Sequence, residues 1–148
     1  MEDRMIEEIR HDGSLLALIV RAGFASPGIK FFTPDDLSQQ LAYMQHPAGK
    51  IIAPHVHNPV AREVSFTQEV LFIRRGRMRV DFYGADQRYL NSRILEAGDV
   101  ILLATGGHGF EVLEPLEMFE VKQGPYAGEG DKTRFVGVPG DRIRIGGE

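Results

Sequence analysis

Apolar residues fall in short blocks along this 148-residue chain, at 14–22, 39–45, 50–54, 69–74, 77–83, 99–103, 109–113 and 118–122, separated by Gly, Pro, Asn or Asp. Several blocks alternate. In "RMRVDFY", Met78, Val80 and Phe82 share one side while Arg77, Arg79 and Asp81 share the other, the two-residue period of a half-buried strand. Many short strands with turn residues between them predict an all-β sandwich or barrel. Gly76 and the Gly98-Asp99 pair stand between blocks and predict hairpin turns, where glycine takes a positive φ cheaply. Helical signals are few. "TPDDLSQQ" can hold one turn, with Thr33 as cap and Pro34 in the first helical position, and "EDRMIEEIR" reads as a short helix or a frayed arm. The chain is expected to form one domain, with a barrel over about 37–123, an N-terminal strand or arm over 1–36 and an irregular Gly/Pro-rich tail over 124–148.

Composition narrows the function classes. A charged content of 26% and a hydrophobic content of 43% are those of an ordinary globular protein. The net charge of −4, with no dense basic run, speaks against nucleic acid as a partner. The apolar run 15–20 is too short to cross a bilayer, and acidic rather than basic residues precede it, so no membrane partner and a cytoplasmic location are expected. Without a single cysteine, any metal must be held by nitrogen and oxygen. Arg74, Arg75, Arg77 and Arg79 read as a solvated strand face blunting a sheet edge, in preference to an anion site.

The chemistry-bearing pattern lies in "GKIIAPHVHNPVAREVSFTQEVLFIRRG", residues 49–76. His55 and His57, two apart on a strand, would project side by side. Alternation places Glu69 with Leu71 and Ile73, and a carboxylate on such a face is costly to bury without a compensating cation or hydrogen bonds. His108 alternates with Phe110 and Val112, again an apolar face. Three imidazoles and one carboxylate form an N3O set suited to divalent transition metals. Glu63 is the rival carboxylate, but Glu69 opens the more convincing strand and has Gly76 seven residues later. His46, before Pro47, reads as a turn residue, and His11 lies outside the pattern.

With these residues in place the sequence resembles the cupin superfamily. Gly49, His55, His57, Glu69 and Gly76 follow its first motif, and Gly98, Gly106 and His108 its second. The chain departs from the family in the eleven residues between His57 and Glu69, in Ala104 where proline is usual, in His108 arriving one residue early, and in Val112 where asparagine closes the second motif. The resemblance implies a double-stranded β-helix (jelly-roll) barrel and one divalent transition metal per chain (Zn, Mn, Fe, Ni or Co) on His55, His57, Glu69 and His108. It also implies a small-molecule ligand or substrate and a homodimer. It is similar in particular to small single-domain cupins likened to mannose-6-phosphate isomerase, which points to an enzyme acting on a sugar-like, hydroxy or keto compound. A non-catalytic metal-dependent binding or sensor module and an iron-dependent dioxygenase remain alternatives. Glu120 and Lys122 are the candidate catalytic groups, and Tyr43, Gln45 and Tyr126 the candidate pocket residues. Val70 and Phe72, pointing away from the metal face, are expected to meet another layer or a second subunit.

Overall fold

The computed structural model describes residues 5–146. Its strands are β1 (Ile6–His11), β2 (Ser14–Val20), β3 (Gly28–Phe31), β4 (Ala42–Gln45), β5 (Glu69–Tyr83), β6 (Tyr89–Glu96), β7 (Val100–Leu103) and β8 (Gly107–Lys122), with two 3-10 turns in the tail. No helix among these residues is long and apolar enough to cross a membrane. The fold is all-β, as the block pattern predicts.

The central element is β5. One edge pairs antiparallel with β7 over Glu69–Phe72 and with β6 over Arg77–Tyr83, while the other edge pairs with β8 along its whole length. From β7 the sheet continues to β2 and β1. Glu69 lies opposite Lys122 at one end of the β5–β8 ribbon, and Phe82 lies opposite His108 at the other. Thirteen residues of flat strand would separate these ends by about 43 Å. Yet the Glu69 and His108 side chains approach within 3.6 Å, so the ribbon curls on itself into a half-barrel.

Several expected elements change. The blocks 69–74 and 77–83 are one strand, and Gly76 marks a β-bulge inside it, where the register with β8 shifts, rather than a hairpin turn. Gly98 (φ +90°) does sit in the turn between β6 and β7. Residues 6–11 form a strand rather than a helix or frayed arm, because Asp12 (φ +49°) and Gly13 (φ +77°) make a tight turn that folds them back on β2. The block 50–54 is not a strand; residues 46–68 run without regular structure. The region 34–40 forms turns and bends only.

Apolar packing occupies both faces of the sheet. Inside the curl, Leu16, Ile19, Leu71, Ile73, Met78, Val80, Phe82, Leu95 and Ile101 form the main core, each such side chain contributing about 1.5–3 kcal/mol. On the outside, Leu18, Val20, Val70 and Leu102 are covered by Phe24, Phe32, Leu37 and Leu41 from the segment that carries β3 and β4. This explains why all of β2 after Ser14 is buried. It also settles Val70, which meets a second layer of its own chain, whereas Phe72 stays exposed. The arginine cluster lies on a strand paired on both sides rather than at an edge. Arg75 pairs with Glu117, Arg77 with Glu96, and Arg79 with Asp81 and Glu111.

Candidate functional site

The closure of the ribbon creates the site. Glu69 is buried, and its two oxygens meet different nitrogen groups. Oε2 lies 3.6 Å from Nε2 of His108, and Oε1 lies 3.2 Å from Nζ of Lys122. Lys122 also lies 3.6 Å from a Glu120 oxygen, nearer the solvent. The His108 ring stacks on Phe110, two residues further along the same face. Contact with His108 is the largest cause holding the Glu69 carboxyl below the usual carboxylate range; partial burial opposes it and Lys122 adds to it. Glu69 in turn raises the Lys122 ammonium above its ordinary value, chiefly by hydrogen bonding.

Glu69, Tyr83 and His108 line a cleft of about 550 Å³ whose far wall is the C-terminal tail, including Thr133, Phe135 and Gly137. The tail is irregular, as expected, but docked. Phe135 packs edge-on against Tyr83 at 5.0 Å, Val138 N donates to the Tyr83 hydroxyl at 3.0 Å, and Arg144 N donates to the Tyr89 hydroxyl at 2.8 Å. No composition or spacing signal marks the tail as a wall, because its contacts are made by isolated side chains between glycines and prolines.

The other candidate residues lie elsewhere. His55 and His57 are neighbours, with ring centroids 5.3 Å apart, but both are exposed on the unstructured segment 46–68. Nδ1 of His55 is 2.9 Å from the Ala53 carbonyl oxygen. Among the described residues no group of three or more His, Asp or Glu side chains is gathered to hold a metal. The structure therefore presents the four residues as two pairs. Tyr43 packs edge-on against Phe24 at 5.1 Å, and Gln45 lines a separate recess with His46 and Lys50. Tyr126 is exposed and shares a small recess with Lys122, Thr67 and Asp131 beside the main cleft.

The Glu69 shift has a measurable consequence. A carboxyl whose folded pKa is depressed contributes stability that is present above its unfolded pKa and lost as the pH falls through the folded value. In metal-chelated protein, Glu69→Gln is expected to cost on the order of 1–3 kcal/mol at pH 7, as hydrogen bonds to charged groups do. That difference should shrink below the ordinary carboxylate range. Urea midpoints of both proteins at neutral and acid pH test it; a gap that stays constant with pH would refute the assignment.

No protein-family model, curated protein or solved structure matches the chain.

Proposed function

We propose that the chain is a cupin-type metalloprotein of jelly-roll architecture, in which Glu69 and His108 are two ligands of a divalent transition-metal site and His55 and His57 are the others. One observation carries this reading: a buried carboxylate and an imidazole, 39 residues apart in sequence and at opposite ends of the β5–β8 ribbon, meet at the mouth of a cleft. Their geometry fits an ion. Metal–ligand distances of about 2.0–2.2 Å at tetrahedral angles put ligand atoms about 3.3–3.5 Å apart, and Glu69 and His108 stand at 3.6 Å. The adjacent rings of His55 and His57 would have to be brought to this pair to complete an N3O set.

A divalent ion with an open coordination position would supply Lewis acidity towards a carbonyl or hydroxyl oxygen. The chain's own groups divide the rest of the work. Lys122, whose Nζ lies 3.2 Å from Glu69, would serve as a hydrogen-bond donor that orients an anionic or carbonyl oxygen. Glu120, beside it and open to solvent, is left as the proton acceptor. The substrate class that suits this set is a small hydroxy or keto compound such as a sugar derivative. Zinc, manganese, iron, nickel and cobalt all suit the donors; iron would favour a dioxygenase. Metal-dependent binding without turnover would use the same ligands and not require Glu120.

Elemental analysis tests the proposal. The purified or reconstituted protein is expected to carry about one metal per chain, and His108→Ala and His55→Ala/His57→Ala to lose it. A wild-type protein that takes up no metal after reconstitution would overturn the reading.

A further inference from the structure

The C-terminal tail walls the cleft, yet none of residues 124–146 is buried; even Phe135, Val138 and Ile143 are only half-buried. What holds the tail is a short row of point contacts at the far end of β5 and on the outer edge of β6. Phe135 packs edge-on against Tyr83, and the Val138 N–H donates to the Tyr83 hydroxyl. A β-carbon on Gly107 would lie 3.1 Å from the Phe135 ring, so the ring rests on bare backbone just before His108. Further on, the Arg144 N–H donates to the Tyr89 hydroxyl. The Ser92 N–H donates to the Arg144 carbonyl at 2.8 Å, and the Gly146 N–H donates to the Ser92 carbonyl at 3.0 Å. These two bonds make a parallel bridge between Ile145 and Ser92 of β6.

Upstream of these contacts the tail is loosely tied. Among the described residues, 125–130 make hydrogen bonds only within the tail. Added β-carbons at Gly128 and Gly130 would meet nothing within 4 Å. One bond crosses the cleft: the Thr67 hydroxyl donates to Asp131 at 2.7 Å, joining the tail to the wall that precedes Glu69. A segment with few buried contacts opens at a free energy far below that of global unfolding. Its hinge lies where loop residues can absorb the change in backbone angles, here at the two open glycines.

We infer that residues 131–146 are a strap over the Glu69–His108 cleft, released as a unit about Gly128 and Gly130 while the barrel stays folded. The Tyr83 and Tyr89 hydroxyls are its latch, and the Phe135 ring is its plug. Release takes Thr133, Phe135 and Gly137 out of the cleft wall and opens the Glu69–His108 pair to a ligand from the side. Redocking sequesters what has entered. The strap rests on the tail's own contacts and stands whether or not the cleft holds a metal.

Native-state hydrogen exchange reads the release. The amides of Val138, Arg144, Gly146 and Ser92 should share one opening constant, well above that of the β5–β8 ladder. Ser92 is the informative member, because it is wholly buried in β6 while the tail's Arg144 carbonyl protects its amide. Tyr83→Phe removes the hydroxyl to which Val138 donates, so Arg144, Gly146 and Ser92 should exchange about three- to tenfold faster, the worth of one hydrogen bond. The ladder should be unaffected, and Phe135→Ala should act in the same direction through a different contact. The chain has no cysteine, so Ala104→Cys places a single thiol on the cleft floor. Its rate of reaction with a maleimide should rise by the same factor when Tyr83→Phe is added. Exchange at Ser92 and Arg144 that merges with global unfolding, or that neither variant changes, would overturn the inference and make the tail a fixed part of the fold. A thiol at position 104 whose rate ignores Tyr83→Phe would overturn the strap's control of the cleft.

Discussion

Replacing Gly76 by alanine is expected to destabilise the protein by more than about 3 kcal/mol, and by valine to prevent folding. Gly76 has φ +99°, where a side chain costs about 1–3 kcal/mol in backbone strain alone. The larger effect is steric. A β-carbon at this position would lie 2.2 Å from the Pro115 carbonyl oxygen and 2.9 Å from the Leu116 α-carbon. Both are backbone atoms of β8, so relief requires β8 to move away from β5 at the bulge. That bulge is where the ribbon changes register, and a displaced β8 would carry His108 away from Glu69. Gly13 provides the control. It has φ +77°, but a β-carbon there would meet nothing within 4 Å, so Gly13→Ala should cost only the conformational penalty, about 1–2 kcal/mol. Urea midpoints of the two variants read the difference directly. Equal losses would mean that the β5–β8 approach at Gly76 is not tight.

The same glycine shows what the sequence carries and what it hides. Inward residues run at 69, 71 and 73 before Gly76 and at 78, 80 and 82 after it. Alternation changes parity across Gly76, which one inserted residue in a continuous strand produces, so the bulge was legible in the phase of the pattern even though the glycine also suits a turn. The Asp12-Gly13 pair was a stronger signal for a hairpin than "EDRMIEEIR" was for a helix. Strand β6 was harder to see. "YLNSRILE" breaks its apolar rhythm at Ser92, which is wholly buried because it donates to Asp81 at 2.5 Å and meets the Tyr89 hydroxyl at 2.7 Å. A buried polar chain satisfied by partners from other strands cannot be anticipated from local hydrophobicity. At the site, alternation correctly gave Glu69 to the inner face, whereas His108, opposite the buried Phe82, is itself exposed. Alternation assigned a strand to 50–54 as well, but a strand needs a partner as well as a pattern, and the pairing of residues far apart in sequence is what periodicity does not encode.

Asp99→Ala is expected to cost about 3–5 kcal/mol, the range for breaking a buried ion pair by removing one partner. Asp99 is buried in the turn between β6 and β7, where it accepts from the backbone N–H of Glu96 at 2.8 Å and of Ala22 at 2.9 Å, and from Nη1 of Arg21 at 3.0 Å. Arg21 also donates to the Ile94 carbonyl at 2.7 Å and to Glu7 at 2.6 Å, and Glu7 accepts from Arg93 at 3.0 Å. Truncating Asp99 therefore orphans two backbone donors and leaves a half-buried guanidinium short of one carboxylate. Asp99→Asn keeps an acceptor oxygen without the charge and should lose about half as much. Because Arg21 and Asp99 share one network, Arg21→Met combined with Asp99→Ala should cost less than the two separate losses added, by about 1–3 kcal/mol; additive losses in urea denaturation would show that the groups act independently. The position of this network gives it weight beyond stability. Through its turn the chain passes from β6, which holds the far half of β5, to β7, which holds the half beginning at Glu69. Fixing that turn fixes how the two halves of β5 are offset, and the offset is what brings the ends of the curled ribbon, with Glu69 and His108, into contact.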